Sequence, residues 1–406
     1  MNYSRRRYTA RYGRSWQATA LKWGLAAALP FGGVAAMTYI HHLHHTTPAA
    51  FILDGTQTAN ESGAALSAGM LQMLDSAGST SNDATAYVAP RGGGQPDVIP
   101  LTPYLPNEQV DHGPTRTTVL NANVAAAQRA VERQAAQVPF DLLVSMNAAI
   151  KAVPPPATLI VISSGLSTAG GFDLRQVGWD ARPSWVAAQL KARGLLPDLA
   201  GYHVVFSGLG NTAGRQPALP LPQQTTLTRY WLAICHAANA ASCSVDNTSR
   251  PELAPRSTIP VPVVPVPRVH SVHGPRGITT TTLPDTLLFP FDSVTLVPAA
   301  DTILRPVAQW ARTQDLMVSI KGYASPDGGT NAYNLNLSTR RADAVAERLV
   351  VLGLSPGQIT KVTGESTAGQ SPAVCLVRGH LDETICGELR RVVIVLSPAS
   401  QRRTWS

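Results

Sequence analysis

Residues 48–250 alternate between short apolar runs and longer segments with helical spacing. Four runs fit buried or half-buried strands: AFILDGT, TAYVA, TLIVISSG and YHVVFSGLG. Three segments between them have the apolar spacing of helices: ESGAALSAGMLQML, VAAAQRAVERQAA and FDLLVSMNAAIKAV. Strands that alternate with helices indicate a parallel sheet, so we predict a doubly wound α/β domain over residues 48–250.

A Pro-rich segment follows this domain. Residues 251–283 contain the run IPVPVVPVP, which favours an extended polyproline II conformation of about 3.1 Å per residue. We therefore predict a stiff linker over residues 251–283. Such a linker would separate the two domains physically, so that they need not share a site.

The last part of the chain contains a strand end, a polar loop and a helix. An apolar run closes at Ile320, and the spacing of Ala342, Val345, Leu349 and Leu352 places them on one face of a helix. A polar, Gly-rich loop leads into this helix, whose N-terminus suits an anionic group such as a carboxylate. Arg340 and Arg341 in its first turn oppose the helix dipole, which indicates another role for one of them.

Within this part, the pattern N-x-x-L-S-x-x-R-A is formed by Asn334, Leu337, Ser338, Arg341 and Ala342. With the segments around it, residues 284–397 resemble the OmpA-like peptidoglycan-binding domain from end to end. The resemblance implies strands at LLFPFDSVTL, LMVSIKGYAS, ITKVTGES and RRVVIVL, with a helix at AADTILRPVAQWAR after the first of them. The predicted fold is thus an α/β doubly wound domain and an α+β OmpA-like domain. A Pro-rich linker joins them, and one N-terminal transmembrane helix precedes them.

The resemblance implies a ligand and the residues that hold it. In that family, the loop and helix hold the diaminopimelate stem peptide of peptidoglycan; an Asp after the second strand binds the amine, and the motif Arg pairs with the carboxylate. Arg341 matches the Arg, but Ser325 stands in the place of the Asp. The loop is one residue longer here, so Asp327 is the candidate for the missing charge. Asn334 belongs to the motif, and Arg390 begins the family's R-R-V with Leu389 in place of the preceding Asn.

The N-terminus indicates export. Residues 1–22 contain six basic residues and no acid, and residues 23–40 are uncharged and mainly apolar. Eighteen residues are at the lower limit for a membrane-spanning helix, and the preceding charges favour a cytoplasmic N-terminus. We predict a single-pass anchor in the cell membrane, with the bulk of the chain outside. The alternative is a cleaved signal peptide, because Val34 and Ala36 fit a cleavage site.

Charge and cysteines refine this interpretation. The formal net charge of +8 suits an anionic partner such as membrane lipid or cell wall, and a basic stripe interleaved with aromatic residues, as nucleic-acid binding would require, is absent from the sequence. A basic tail is predicted at residues 398–406.

His41, His42, His44 and His45 could bind a metal, but a pH-sensitive tail fits them better because no acid or Cys accompanies them. In an exported protein, we predict the local disulfides Cys235–Cys243 and Cys375–Cys386.

The first strand of the α/β domain ends in D-G-T-Q-T, which contains Asp54, Thr56 and Thr58. This pattern resembles the D-x-S-x-S of von Willebrand factor A domains, where these oxygens hold Mg²⁺ or a similar ion. The family's last acid is missing, because TLIVISSG ends in Ser163, Ser164 and Gly165. We interpret the three residues as a degenerate metal site and expect no cofactor.

The sequence contains no Ser-His-Asp order, no motif with paired carboxylates and no phosphate-binding loop, so we do not expect an enzyme. The pattern favours a non-catalytic protein that tethers the membrane to the cell wall through peptidoglycan. The alternative function is an envelope sensor or adhesion protein whose α/β domain binds a protein partner.

Overall fold

The computed structural model describes residues 49–55, 58–89, 95–134, 140–290, 292–326, 329–377, 380–381 and 383–399. The predicted basic tail at 1–22, the predicted anchor at 23–40, the histidine cluster and residues 400–406 of the C-terminal tail lie outside these ranges. Across the ranges described, no helix combines the length and the apolar character needed to cross a membrane.

A six-stranded sheet forms the centre of the α/β domain. Its strands are β1 (Ala50–Asp54), β2 (Thr85–Val88), β3 (Asp97–Pro100), β4 (Ala157–Ile162), β5 (Tyr202–Ser207) and β6 (Ser242–Asp246). The spatial order is β3-β2-β1-β4-β5-β6, and every neighbouring pair is parallel except β2 with β3. The chain leaves β1 toward one edge and returns at β4 to build the other. The switch point where such sheets bind ligands therefore lies at the carboxyl ends of β1 and β4.

Helices cover both faces of this sheet. They are α1 (Ala68–Thr80), α2 (Arg116–Glu132), α3 (Leu142–Ala149), α4 (Leu174–Val177), α5 (Pro183–Ala192) and α6 (Leu221–Ala237). Alternate residues of one strand enter different cores: Ile52 packs in one, and Phe51 and Leu53 pack in the other. This two-sided burial explains the continuous apolar runs in the sequence. The predicted doubly wound arrangement agrees with this topology.

A five-stranded sheet forms the C-terminal domain. Its strands are β7 (His270–His273), β8 (Thr279–Pro284), β9 (Leu316–Tyr323), β10 (Ile359–Gly364) and β13 (Arg391–Pro398), in the order β10-β9-β13-β8-β7. Only β9 and β10 pair in parallel. Two short strands, β11 (Leu376–Val377) and β12 (His380–Leu381), form a separate hairpin. The helices are α7 (Asp301–Thr313), α8 (Asn331–Val351) and α9 (Glu383–Leu389).

The first strand of this domain differs from the prediction. LLFPFDSVTL was expected to be a strand, but Asp285–Leu287 form a 3₁₀ turn, and Leu287, Leu288 and Phe289 are buried in the core. Beside β13, on the side away from β9, the strand is β8, which has the sequence TTTTLP and lies just upstream of this segment. Its positions alternate between buried and half-buried, as a strand with one face on the core requires, and β-branched Thr suits a pleated surface.

The predicted linker over residues 251–283 is also different. Residues from His270 onward belong to β7 and β8. Upstream, Val264 is completely buried in the core of the α/β domain. Gln216 bonds both backbone groups of Val264: its Nε2 donates to the carbonyl at 3.0 Å, and its Oε1 accepts from the N–H at 2.8 Å. Asn60 donates to the carbonyls of Val261 and Pro262. An extended Pro-rich backbone leaves its carbonyls unbonded, so side-chain amides can hold it against a domain.

Both predicted disulfides are confirmed. Cys235–Cys243 joins α6 to β6. Cys375–Cys386 joins the 3₁₀ turn Pro372–Cys375 to α9. Each bond is local and lies within one domain, as the sequence spacing indicated.

Candidate functional site

The site is built around the close approach of α8 to the sheet. A Cβ atom placed on Gly322 of β9 would lie 2.1 Å from the carbonyl oxygen of Ser338, and one on Gly364 of β10 would lie 2.2 Å from Thr339 Oγ1. Both distances are far below van der Waals contact, so only glycine permits this packing. The approach places the early turns of α8 directly beside the loop that follows β9.

A cleft of about 620 Å³ lies at this junction. Four of the five residues predicted for ligand binding line it: Ser325, Asn334, Arg341 and Arg390. The fifth, Asp327, lies outside the described residues. Asn334 is buried, and its Nδ2 donates to the carbonyl oxygen of Ser325 at 3.5 Å, a long hydrogen bond between the helix and the loop.

Arg341 is held on three sides. Its Nη1 donates to Asp285 Oδ2 at 2.7 Å, and both side chains are 4% exposed. Its Nε donates to the carbonyl oxygen of Ser293 at 2.9 Å, and its Cζ lies 5.2 Å from the ring centroid of Phe289. Among the described residues, none accepts a hydrogen bond from Nη2. The guanidinium is thus fixed in place while part of its donor fork remains for a ligand.

Arg390 joins the two domains at the same cleft. Its Nη1 donates to Ser325 Oγ at 3.0 Å, and its Nη2 forms an ion pair with Asp180. Asp180 belongs to the segment between α4 and α5 of the α/β domain and also lines the cleft. The prediction that the domains need not share a site is therefore wrong, because Asp180 of the α/β domain and Arg390 of the C-terminal domain form an ion pair in one cleft.

Two of the three described acids in the cleft, Asp180 and Asp285, have raised pKa values. Burial raises the pKa of Asp180 to about 7, with the nearby charge of Asp285 adding to the effect and Arg390 and Arg341 opposing it. Burial likewise raises the pKa of Asp285, against the attraction of Arg341 and Arg390. The two carboxyl groups and the two guanidinium groups form one buried cluster in which the desolvation of the acids outweighs their attraction to the arginines.

The mouth of the cleft has its own polar contacts. Tyr333, on the first turn of α8, donates its hydroxyl proton to Asp292, and this bond raises the pKa of the Tyr333 hydroxyl. Asp292 also pairs with Arg182 of the α/β domain at 3.2 Å between Oδ2 and Nη2. A second contact between domains thus lies beside the first.

Of the three residues predicted as a degenerate metal site, Asp54 ends β1 at the switch point of the first sheet, and Thr58 follows it in the chain. Asp54 accepts hydrogen bonds from Ser145 Oγ, and Thr58 Oγ1 accepts one from the N–H of Asn60. Thr56 lies outside the described residues. Glu61, which the sequence analysis did not single out, is buried; its Oε1 accepts from Ser163 Oγ and from the N–H of Ser164. Within the described ranges, His, Cys, Asp and Glu form no group of three that could hold a metal ion.

Three acids of the cleft were missed by sequence reasoning. Asp285 lies two residues before the buried apolar run of Leu287, Leu288 and Phe289. Because a buried acid needs a partner, an acid so close to a buried run is a weak sequence signal of a buried ion pair. Asp292 and Asp180 lie in polar loops and carry no comparable signal. Their roles depend on how the two domains meet.

Comparison with known proteins concerns the C-terminal domain. Residues 288–374 match the model of the OmpA family. Outer membrane protein A of Bordetella avium is 44% identical over 71 residues, which are 18% of this chain and 37% of that protein. Outer membrane protein 40 of Porphyromonas gingivalis is 45% identical over 53 residues, or 13% of this chain and 14% of that protein. The chain therefore matches well under half the length of either relative.

Among solved structures, the peptidoglycan-associated lipoprotein from Burkholderia pseudomallei is 27% identical, with a TM-score of 0.23, and the match covers 27% of this chain and 88% of that structure. The motif around Arg341, the cleft beside α8 and the family match all fall in the same part of the chain. Residues 288–374 of this protein are an OmpA family domain.

Proposed function

We propose that this protein is a non-catalytic component of the cell envelope that binds peptidoglycan through the cleft beside α8. The observation that carries the proposal is the arrangement of Arg341. Its guanidinium is buried and fixed by Asp285 and Ser293, while its Nη2 has no acceptor among the described residues. A fixed planar fork of this kind suits a carboxylate, which it can hold by charge-assisted hydrogen bonds.

The ligand expected from the OmpA family resemblance carries such a group. The stem peptide of peptidoglycan presents the carboxylate and the amine of diaminopimelate, and the cleft supplies both arginines and acids. The neighbouring start of α8 adds backbone N–H groups at the positive end of the helix dipole, which also favours an anion.

Binding of the purified full chain to isolated cell-wall sacculi tests the proposal. Wild type should pellet with the sacculi, and free diaminopimelate should compete. Arg341→Lys keeps the positive charge but loses the planar fork, so we expect affinity to fall by about tenfold or more. Arg348→Lys is the matched control, because Arg348 lies on the same helix and pairs with Asp301 away from the cleft. Equal binding by wild type and Arg341→Lys would contradict the role of Arg341.

We further propose that residues 23–40 anchor the protein in the cell membrane, so that it tethers membrane to wall. The charge asymmetry of the N-terminal sequence supports this part. The N-terminal sequence of the protein isolated from membranes is the test, and a chain beginning at Met37 would contradict the anchor.

A further inference from the structure

The cleft contains a carboxylate that the C-terminal domain does not supply. Ser325 occupies the position just after β9, and its hydroxyl cannot neutralise a cation. Its Oγ accepts a hydrogen bond from Arg390 Nη1 at 3.0 Å, and the same guanidinium pairs with Asp180 of the α/β domain. One arginine thus connects the hydroxyl at the end of β9 to an acid from another domain, and all three side chains line one cleft.

We propose that Asp180 is a specificity-determining residue of this cleft and binds the amine of the ligand. This inference rests on the proposed function, because it assigns the partner of the ligand's amine in the same cleft. The binding site is then shared by two domains, with Arg341 for the carboxylate and Asp180 for the ammonium group.

The other described acids of the cleft are less suited to this role. Asp285 already gives Oδ2 to Arg341, and its side chain is 4% exposed, so an entering ammonium group cannot displace that pair without cost. Asp292 lies at the mouth, where it binds Arg182 and the hydroxyl of Tyr333. Asp180 lines the same cleft with 13% of its side chain exposed, and its one ion pair within the described part of the chain is with Arg390.

The electrostatics of Asp180 also favour a cation. Its raised pKa means that burial and the charge of Asp285 outweigh the attraction of Arg390 and Arg341. One more positive charge nearby would therefore stabilise the ionised carboxylate of Asp180. An ammonium group placed against Asp180 would stabilise its ionised form, and the gain would appear as affinity for ligands that carry an amine.

The test compares two ligands on the same protein. The probes are a soluble tripeptide stem that ends in diaminopimelate and the same peptide acetylated on the diaminopimelate amine. We expect wild-type full-length protein to prefer the free amine by roughly tenfold or more in Kd. Asp180→Asn keeps the shape of the side chain and removes its charge, so it should bind both peptides with equal, weaker affinity. Asp75→Asn, which changes an exposed acid on α1 of the same domain, should retain the wild-type preference.

Because the preference is a ratio of two affinities measured on one variant, a loss of folded protein does not imitate the expected result. Full retention of the preference by Asp180→Asn would overturn the inference and assign the amine to another acid. Tighter binding by Asp180→Asn would also overturn it, since the Asp180 carboxylate would then compete with the ligand's carboxylate for the arginines of the cleft. If wild type binds neither peptide nor sacculi, the proposed function fails and this inference fails with it. If wild type binds sacculi through Arg341 without discriminating the two peptides, only this inference fails.

Discussion

Arg341 and Asp285 form a buried ion pair inside a site that is expected to bind charge. Each side chain is 4% exposed, and their contact of 2.7 Å is reinforced by the bond from Arg341 Nε to Ser293. Removing both charged groups from water costs free energy, and their mutual attraction offsets this cost only while both partners are present. Arg341 therefore supports the fold in addition to its proposed role in binding, and its truncation to Ala would confuse the two effects.

A double substitution separates these roles. Removing either partner alone leaves a buried charge uncompensated, so Arg341→Met and Asp285→Leu should each lower the free energy of unfolding by about 3–5 kcal/mol. The double variant replaces the pair with apolar groups and should recover most of that loss, yet bind no sacculi. Urea unfolding of the four proteins measures this. Losses that simply add in the double variant would contradict the coupling of the two residues.

Asp180 predicts a dependence of stability on pH. Its pKa is about 7 in the folded protein, against an ordinary value of 3.8, so the folded state binds this proton more tightly than the unfolded state. Proton binding by Asp180 therefore contributes fully to the free energy of unfolding below about pH 4, and this contribution is lost as the pH rises toward 7. Asp285, whose pKa burial also raises, acts in the same direction.

The measurement is the free energy of unfolding between pH 4 and 8 for wild type and Asp180→Asn. We expect wild type to lose more stability over this interval than the variant, by an amount on the order of a few kcal/mol. Asp75→Asn should follow wild type. Parallel curves for wild type and Asp180→Asn would show that burial does not hold the proton on Asp180.

At the scale of elements, the position of α8 depends on two glycines. Gly322 and Gly364 allow the backbone of Ser338 and Thr339 to contact the sheet. Arg341 and Asn334 lie on this helix, so the spacing between helix and sheet sets the distance from these side chains to Ser325. The geometry of the cleft follows from the absence of two Cβ atoms.

Gly322→Ala should force α8 away from β9, because the added carbon would meet the carbonyl oxygen of Ser338 at 2.1 Å. We expect a stability loss of about 1–3 kcal/mol, as for other overpacked sites, together with weaker binding to sacculi. Gly357→Ala is the control, since its added carbon would meet Ser355 Oγ at an ordinary 3.8 Å. Thermal melting and sacculus binding measure both effects. A stable variant with intact binding would show that the helix position is not critical.

The elements illustrate what the sequence can and cannot predict. TLIVISSG and YHVVFSGLG became buried parallel strands because a continuous apolar run fits a strand covered on both faces. LLFPFDSVTL contains a similar run, yet its leucines fill the core from a turn, and the strand forms from the less apolar TTTTLP. A short apolar run predicts that its residues are buried, but burial alone does not distinguish a strand from a turn that packs on the core.

At the scale of the molecule, the binding cleft was only partly predictable. The motif around Arg341 is local, so Ser325, Asn334 and Arg390 could be identified with it and do line the cleft. Asp180 could not, because its contact with Arg390 depends on the docking of two domains. The linker itself packs on the α/β domain through Val264, whose burial a polyproline pattern does not reveal.

Gln216 should control whether the linker stays docked. It makes two hydrogen bonds to the backbone of Val264, and Gln216→Ala would leave both groups unsatisfied at about 1–3 kcal/mol each. We expect trypsin to cleave this variant faster after Arg256 and Arg268, which flank the docked residues. Gln189→Ala on the exposed side of α5 should behave like wild type. Unchanged cleavage of Gln216→Ala would show that other contacts hold the linker.

A docked linker has a mechanical consequence for a protein proposed to connect membrane and wall. A free polyproline segment acts as a semi-rigid spacer that holds the domains apart by its full length, about 3.1 Å per residue, and transmits a pull directly to the next domain. Here Asn60 and Gln216 hold the backbone at Val261, Pro262 and Val264, so these bonds must break before the segment extends. The same extension would draw Arg390 away from Asp180. In the proposed tether, tension would thus first be resisted by a short, stiff connection, and an overload would open the cleft that we propose binds the wall.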